Sequence, residues 1–205
     1  MDGGFDYELS RILKGMGDIW HLTDHCQTYI RDVWHGHIPP GSCMIVPLPD
    51  DAASAGNPWG ARALAISPTM HAPEDVSWHQ DLVYNTMWSL LVQLEQWNKT
   101  SDAEGRAKIQ TVLMTGLGTG YGCIEADKCA QQMMLAVKHF RMPLVDRVRW
   151  IDVEQRVRDI RATTDCQKPD SVVNPWALGP FGLPTLIVLV AAPILAFAGV
   201  SHALN

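Results

Sequence analysis

Four glycines in seven residues, alternating behind an apolar run, constrain this chain more than any other feature. The segment reads Val112-Leu113-Met114-Thr115-Gly116-Leu117-Gly118-Thr119-Gly120-Tyr121-Gly122. Glycine loses more backbone freedom on folding than any other residue, so such a cluster needs a role that only glycine can fill. A tight turn that leaves its N–H groups open to an anion is such a role. The spacing predicts a strand over Ile109–Thr115 and a helix from about Glu125 to Phe140, whose positive dipole end would lie close behind the loop. Strand, open-backbone loop and helix start together read as a phosphate cradle. Two better-known phosphate loops fail on spacing. No Lys follows in the GxxxxGK[ST] register, and Tyr121 and Cys123 take the third position of the two GxGxxG frames. A glycine-rich turn without a ligand is the plain alternative.

The charge distribution divides the rest. Residues 1–140 hold nine Lys and Arg against sixteen Asp and Glu, a net of −7, whereas residues 141–170 hold seven against six, and Ser171 onwards holds none. This predicts an α/β domain over 1–140, a charged connector over 141–176 and an apolar tail over 177–205. Backbone amides are the natural anion donors in so acidic a domain. A hydrophobic fraction of 47% against 19% charged excludes a disordered chain, and the formal charge of −6 excludes a broad basic face for nucleic acid. Five widely spaced cysteines with no CxxC pair exclude a disulfide scaffold and a Cys-rich zinc site.

Within 1–140, strands alternate with helices. Short helices are predicted at Phe5–Leu13 and Asp18–Trp34, the second striped by Ile19, Leu22, Cys26, Ile30 and Val33. Ser42–Val46 and Ala61–Ser67 read as buried strands, Asp50–Gly60 as a mobile loop, and Gln80–Trp97 as the longest amphipathic helix. Such alternation favours helices packed on a central sheet.

The run TGLGTGYG followed by CAQQMMLAVKHF resembles the phosphate loop and following helix of macro domains, the ADP-ribose-binding modules, in a fungal and phage-like branch. The opening MDGGFDYELSRIL is similar to that branch's first loop, and PPGSCMIVPLP and ALAISPTMHAPEDVSW to its middle. The resemblance covers about residues 1–140 and implies a three-layer α/β/α sandwich with ligand across the carboxyl ends of the strands. It implies a diphosphate and distal ribose held by Gly3, Gly4, Gly116, Gly118, Thr119, Gly120 and Tyr121, with Thr119 adding a hydroxyl donor and Tyr121 covering the ribose. Asp6 matches the acid that de-ADP-ribosylating members use. The family's first strand, adenine-reading Asp and ribose-contacting Asn would precede Met1, so the expectation is a macro-like fold lacking its first strand or strands.

Two activities follow from the resemblance. A hydrolase would use Asp6 to orient or deprotonate the attacking water; a helix starting at Tyr7 would instead make Asp6 its cap. A binding module needs only the loops, with ADP-ribose or an ADP-ribosylated protein as partner and no cofactor. An Asp inside the later glycine loop, used by a second hydrolase branch, is absent from Gly120–Cys123. A domain without ligand is the reading from a different class.

Other clusters have simpler explanations. His21, His25, Cys26, His35 and His37 lack the pattern of a metal site. His71, Glu74, Asp75, His79 and Asp81 surround a helix start, where acids complement the dipole. Cys123, beside the loop, is read as an idle thiol over an activated one. Residues 145–153 suggest a strand running into an Arg- and Glu-rich helix over Glu154–Arg161. Asp2, Asp6 and Glu8 exclude a secretory signal at the start, which points to a cytoplasmic or nuclear protein. Leu183–Val200 is 18 residues without a charge, at the lower limit for a membrane-spanning helix. It reads as a tail anchor, as a segment paired against the domain or as a non-native extension.

Overall fold

The computed structural model of the protein describes residues 4–54, 57–164 and 185–191. The fold is mixed α/β. Its sheet has four strands: β1 (Met44–Pro47), β2 (Ala61–Pro68), β3 (Thr111–Leu113) and β4 (Thr185–Ala191), in the order β1-β2-β4-β3. Every neighbouring pair is antiparallel. β2 and β3 therefore run the same way, joined by the helix α4 (Leu82–Thr100), and β4 fills the slot between them.

Side-chain alternation on β1 and β2 sorts the helices. Met44, Val46, Leu64 and Ile66 face α1 (Gly4–Ile12) and α2 (His21–Trp34) through Leu9, Leu13, Leu22, Cys26 and Ile30. Ala63 and Ala65 face the other way, onto Val83, Tyr84, Met87 and Leu90 of α4, and into the cluster shared with α5 (Ala126–Phe140) through Cys129 and Ala136. α6 (Trp150–Ala162) adds Ile160 to that second cluster.

Several expectations are corrected. The third strand shortens to Thr111–Leu113 because the Asn98 side chain of α4 occupies both backbone groups of Ile109, accepting from its N–H at 2.7 Å and donating to its carbonyl at 2.8 Å. The predicted loop over 50–60 contains the one-turn helix α3 (Asp50–Ser54), and Asn57 ties the chain to β2 by a 2.8 Å bond to the Ala61 carbonyl. The stripe on α2 stops at Ile30. Val33 is exposed, and His35 and Gly36, both at positive φ, close the helix on the Ile30 carbonyl.

Residues 145–149 are not strand, since α6 starts at Trp150, where Asp152 accepts from the Arg149 amide at 3.0 Å. The connector is not a bare linker either. His139 Nε2 and Asp159 Oδ2 are 3.1 Å apart, His139 Nδ1 and the Tyr84 hydroxyl 3.1 Å, and Arg156 stacks on Trp88, so α6 is docked on α4 and α5. Within the apolar tail, Thr185–Ala191 is extended and paired on both sides, the arrangement expected of a segment paired against the domain. No helix among the described residues is long and apolar enough to cross a membrane. Residues 165–184 and 192–205 lie outside the described residues.

Candidate functional site

β3 ends at Leu113, and the chain leaves the sheet into the glycine loop. Two apolar side chains anchor that loop: Leu117 and Ile124 are buried in the cluster under α4 and α5. The Leu117 amide donates to Cys129 Sγ at 3.1 Å, fastening the loop to α5.

The remaining hydrogen bonds are one-sided. The Gly118 carbonyl accepts from Ile124 N–H, the Gly120 carbonyl from Cys123 N–H and the Gly122 carbonyl from Val76 N–H, each at 3.1 Å. The Gly116 carbonyl takes the Thr119 hydroxyl at 3.3 Å, and the Tyr121 carbonyl the Cys123 thiol at 3.4 Å. Among the described residues, the N–H groups of Gly116, Gly118, Thr119, Gly120, Tyr121 and Gly122 donate to nothing. The loop thus spends its acceptors on the protein and keeps its donors. Unpaired amides prefer water or a ligand to remaining alone.

The glycines have different reasons for being glycine. Gly118 sits at φ +66°, and a Cβ there would stand 2.7 Å from Ile124 Cδ1. A Cβ at Gly122 would meet the Gly118 carbonyl oxygen and Val76 Cγ2, both at 2.8 Å. Gly120 has an ordinary φ and nothing within 4 Å of where a Cβ would stand. The fold itself explains Gly118 and Gly122; it does not explain Gly120.

The segment Thr69–Val76, directly after β2, packs against the loop through Thr69, Met70 and Val76. On its other side is a cavity of about 390 Å³, whose polar lining includes Ser42, His71, Glu74, His79, Asp81 and Asn85. The Asp81 carboxylate forms no cap bond to α4 although Asp81 holds the N-cap position, so it is not tied up by the helix. Lys128 donates to the carbonyls of Ser77 at 2.9 Å and His79 at 2.6 Å, clamping this lining to α5. Partial burial lowers the Lys128 pKa. The sequence grouped the His and acidic residues around a helix start, but nothing in it revealed the cavity or the role of Lys128. A second cavity, about 530 Å³, lies along β1; its cation, Arg106, is already paired with Glu104 and stacked on Trp97.

The other predicted residues fare differently. Gly3 lies outside the described residues, and Gly4 is the first residue of α1. Asp6 is within the first turn of α1, not ahead of it, so it does not cap a helix starting at Tyr7. Its side chain is 4% exposed. Leu9 and Leu13 pack into the cluster on one face of the sheet, Leu117 and Ile124 into the cluster on the other. The Thr119 hydroxyl donates to the Gly116 carbonyl at 3.3 Å at an exposed position. Tyr121 is 47% exposed, open to a ligand. α5 does start behind the loop, but Glu125 and Asp127 stand exposed at its first turn and answer part of its dipole.

Of the histidines weighed as ligands, His25 donates to the Pro47 carbonyl at 2.8 Å and His37 stacks on His71. Among the described residues no cluster of three His, Cys, Asp or Glu side chains could hold a metal ion. In the comparisons with known proteins, no family model, no curated protein and no solved structure matches this chain.

Proposed function

We propose that the protein binds ADP-ribose or a related nucleotide diphosphate, the diphosphate lying on the amides of Gly116, Gly118, Thr119, Gly120, Tyr121 and Gly122. One observation carries this: a loop whose carbonyls are bonded into the fold while its N–H groups have no partner among the described residues. Anions bind such concavities of backbone donors without help from side-chain cations, and the acidic surroundings supply few. Gly120, bare for no reason internal to the fold, leaves room for a phosphate to come close. Glu74 on the Thr69–Val76 rim, and Asp81 and Asn85 in the same cavity lining, are acceptors and donors suited to the hydroxyls of the attached sugar.

The macro-like, three-layer arrangement belongs to the same proposal. The helices on both faces of the sheet support it, and the resemblance of the glycine loop and its helix motivates it. Hydrolysis of ADP-ribosyl linkages is the extension that requires Asp6, whose burial means that a bound sugar would have to reach it.

Calorimetry with ADP-ribose and, separately, with adenosine tests the binding. Heat from the first alone, with shifts in the amide resonances of residues 116–122, is the expected outcome. Equal heats, or resonances that do not move, overturn it in favour of a loop without a ligand. Release of ADP-ribose from a modified protein, compared between wild type and Asp6→Asn, tests the extension; undiminished release removes Asp6 from catalysis.

A further inference from the structure

The region from Arg141 to Arg161 exposes more apolar surface than its acidic neighbours would lead one to expect. Leu144 is 98% exposed and Trp150 82%, and Met142, Val145, Val148 and Ile151 are each more than half exposed. α6 docks through Arg156, Asp159 and Ile160, while Trp150 and Ile151 at its start stand well out into solvent. Exposed apolar side chains concentrated in one short segment mark an interaction site.

Its charge says what it meets. Residues 141–164 carry six Arg against four acids, a net of +2, beside a domain of −7. Arg149 is paired with Asp152, Arg158 with Glu154, and Arg156 lies on Trp88, whereas Arg141, Arg147 and Arg161 have no carboxylate partner among the described residues. These cations are threaded between the apolar residues: Arg141-Met142-Pro143-Leu144-Val145-Asp146-Arg147-Val148-Arg149-Trp150-Ile151. Cations interleaved with exposed apolar side chains match a surface that is anionic at its boundary and apolar beneath: on a lipid headgroup layer arginine reaches up to phosphate while its neighbours enter the acyl boundary, and Trp favours that interface.

We propose that residues 141–151, ending in the first residues of α6, form a docking surface for an anionic lipid bilayer, on which the protein lies without spanning it. The acidic domain is repelled by the same headgroups, which orients this surface downwards and leaves the glycine loop free of the requirement to touch lipid. Nothing in this depends on the identity of the nucleotide.

The test is co-sedimentation of the full chain with phosphatidylcholine vesicles, with and without phosphatidylserine. Pelleting with the mixed vesicles only, weakened by salt, is expected. The double variant Leu144→Ser/Trp150→Ser should lose at least about tenfold in partitioning, and Arg147→Glu several-fold. Circular dichroism should leave the double variant unchanged, since both side chains are solvent-exposed. Absence of pelleting overturns the proposal. So does a double variant that binds as wild type does, which assigns the binding to the uncharged stretch 177–200. Wild type that elutes as a dimer, ignores vesicles and becomes monomeric in the double variant assigns the surface to a second copy of the chain and equally overturns it.

Discussion

The two faces of β2 are built on opposite plans. Towards α1 and α2 the strand offers Leu64 and Ile66, and the helices answer with aliphatic residues and the Cys26 thiol, which burial pushes up to about 12. Towards α4 and α5 the strand offers only Ala63 and Ala65, the bulk comes from α4, and polar groups are buried with it. Gln132 of α5 is fully buried there, accepting from the Tyr84 amide at 3.2 Å and donating to the Gln80 carbonyl at 2.5 Å and the Thr163 hydroxyl at 3.0 Å. Cys129 on this face is also raised by burial, but the Leu117 amide holds its thiol back. The first face is mainly aliphatic, although α1 also buries Asp6 and Ser10. The other is a hydrogen-bonded frame, and the glycine loop hangs from it.

That difference predicts different failures. Leu64→Ala leaves a cavity among aliphatic side chains, and should lose about 2–5 kcal/mol in urea unfolding. Gln132→Ala on the framed face strands the Tyr84 amide, the Gln80 carbonyl and the Thr163 hydroxyl. It should lose about 1–3 kcal/mol, with water restoring part of the bonding. It should also loosen α6, seen as faster amide exchange in Trp150–Ala162. If Gln132→Ala costs as much as Leu64→Ala and exchange in α6 is unchanged, the two faces are energetically alike and the distinction fails.

The sequence revealed the aliphatic face better than the framed one, for a physical reason. Periodicity reads apolar side chains, so Leu22, Cys26 and Ile30, β1, β2 and the span of α4 were all legible. It does not read a polar residue that is buried because its partners come from distant segments, so nothing in the sequence marked Gln132 and His139 as buried. The strand containing β3 was legible but its start was placed too early, because Asn98 lies eleven residues before the Ile109 backbone groups that it occupies. The stretch around β4 could be read as a membrane span or as a segment paired against the domain, because uninterrupted apolar runs suit both. At the site itself, the loop and its open amides were legible from glycine spacing alone. Which glycines the fold requires was not, since that depends on Ile124, Val76 and Met70 arriving from elsewhere.

A smaller effect lies within the loop. Gly118→Ala forces a side chain into left-handed backbone and against Ile124 Cδ1, a contact that a rotation of Ile124 can relieve in part. The backbone cost alone is about 1–2 kcal/mol. A stability loss of that size in thermal unfolding, with the loop's amide resonances displaced, is expected. A silent substitution would mean that the loop is not held to the frame as described.

The smallest expected effect on stability is the most informative. Gly120→Ala places a methyl group in open space at a backbone angle that alanine tolerates, so the folded state should not notice it. The unfolded chain should, because alanine has fewer conformations to lose, and stability should stay level or rise by up to about 1 kcal/mol. If a diphosphate rests on the loop, the same methyl group stands in its approach, and ADP-ribose affinity should fall at least about tenfold, some 1.4 kcal/mol. A protein that is as stable as wild type but binds less would separate the requirements of the ligand from those of the fold at a single atom. If Gly120→Ala binds as well as wild type, the bare position serves no ligand, and the open amides of its neighbours then face only water.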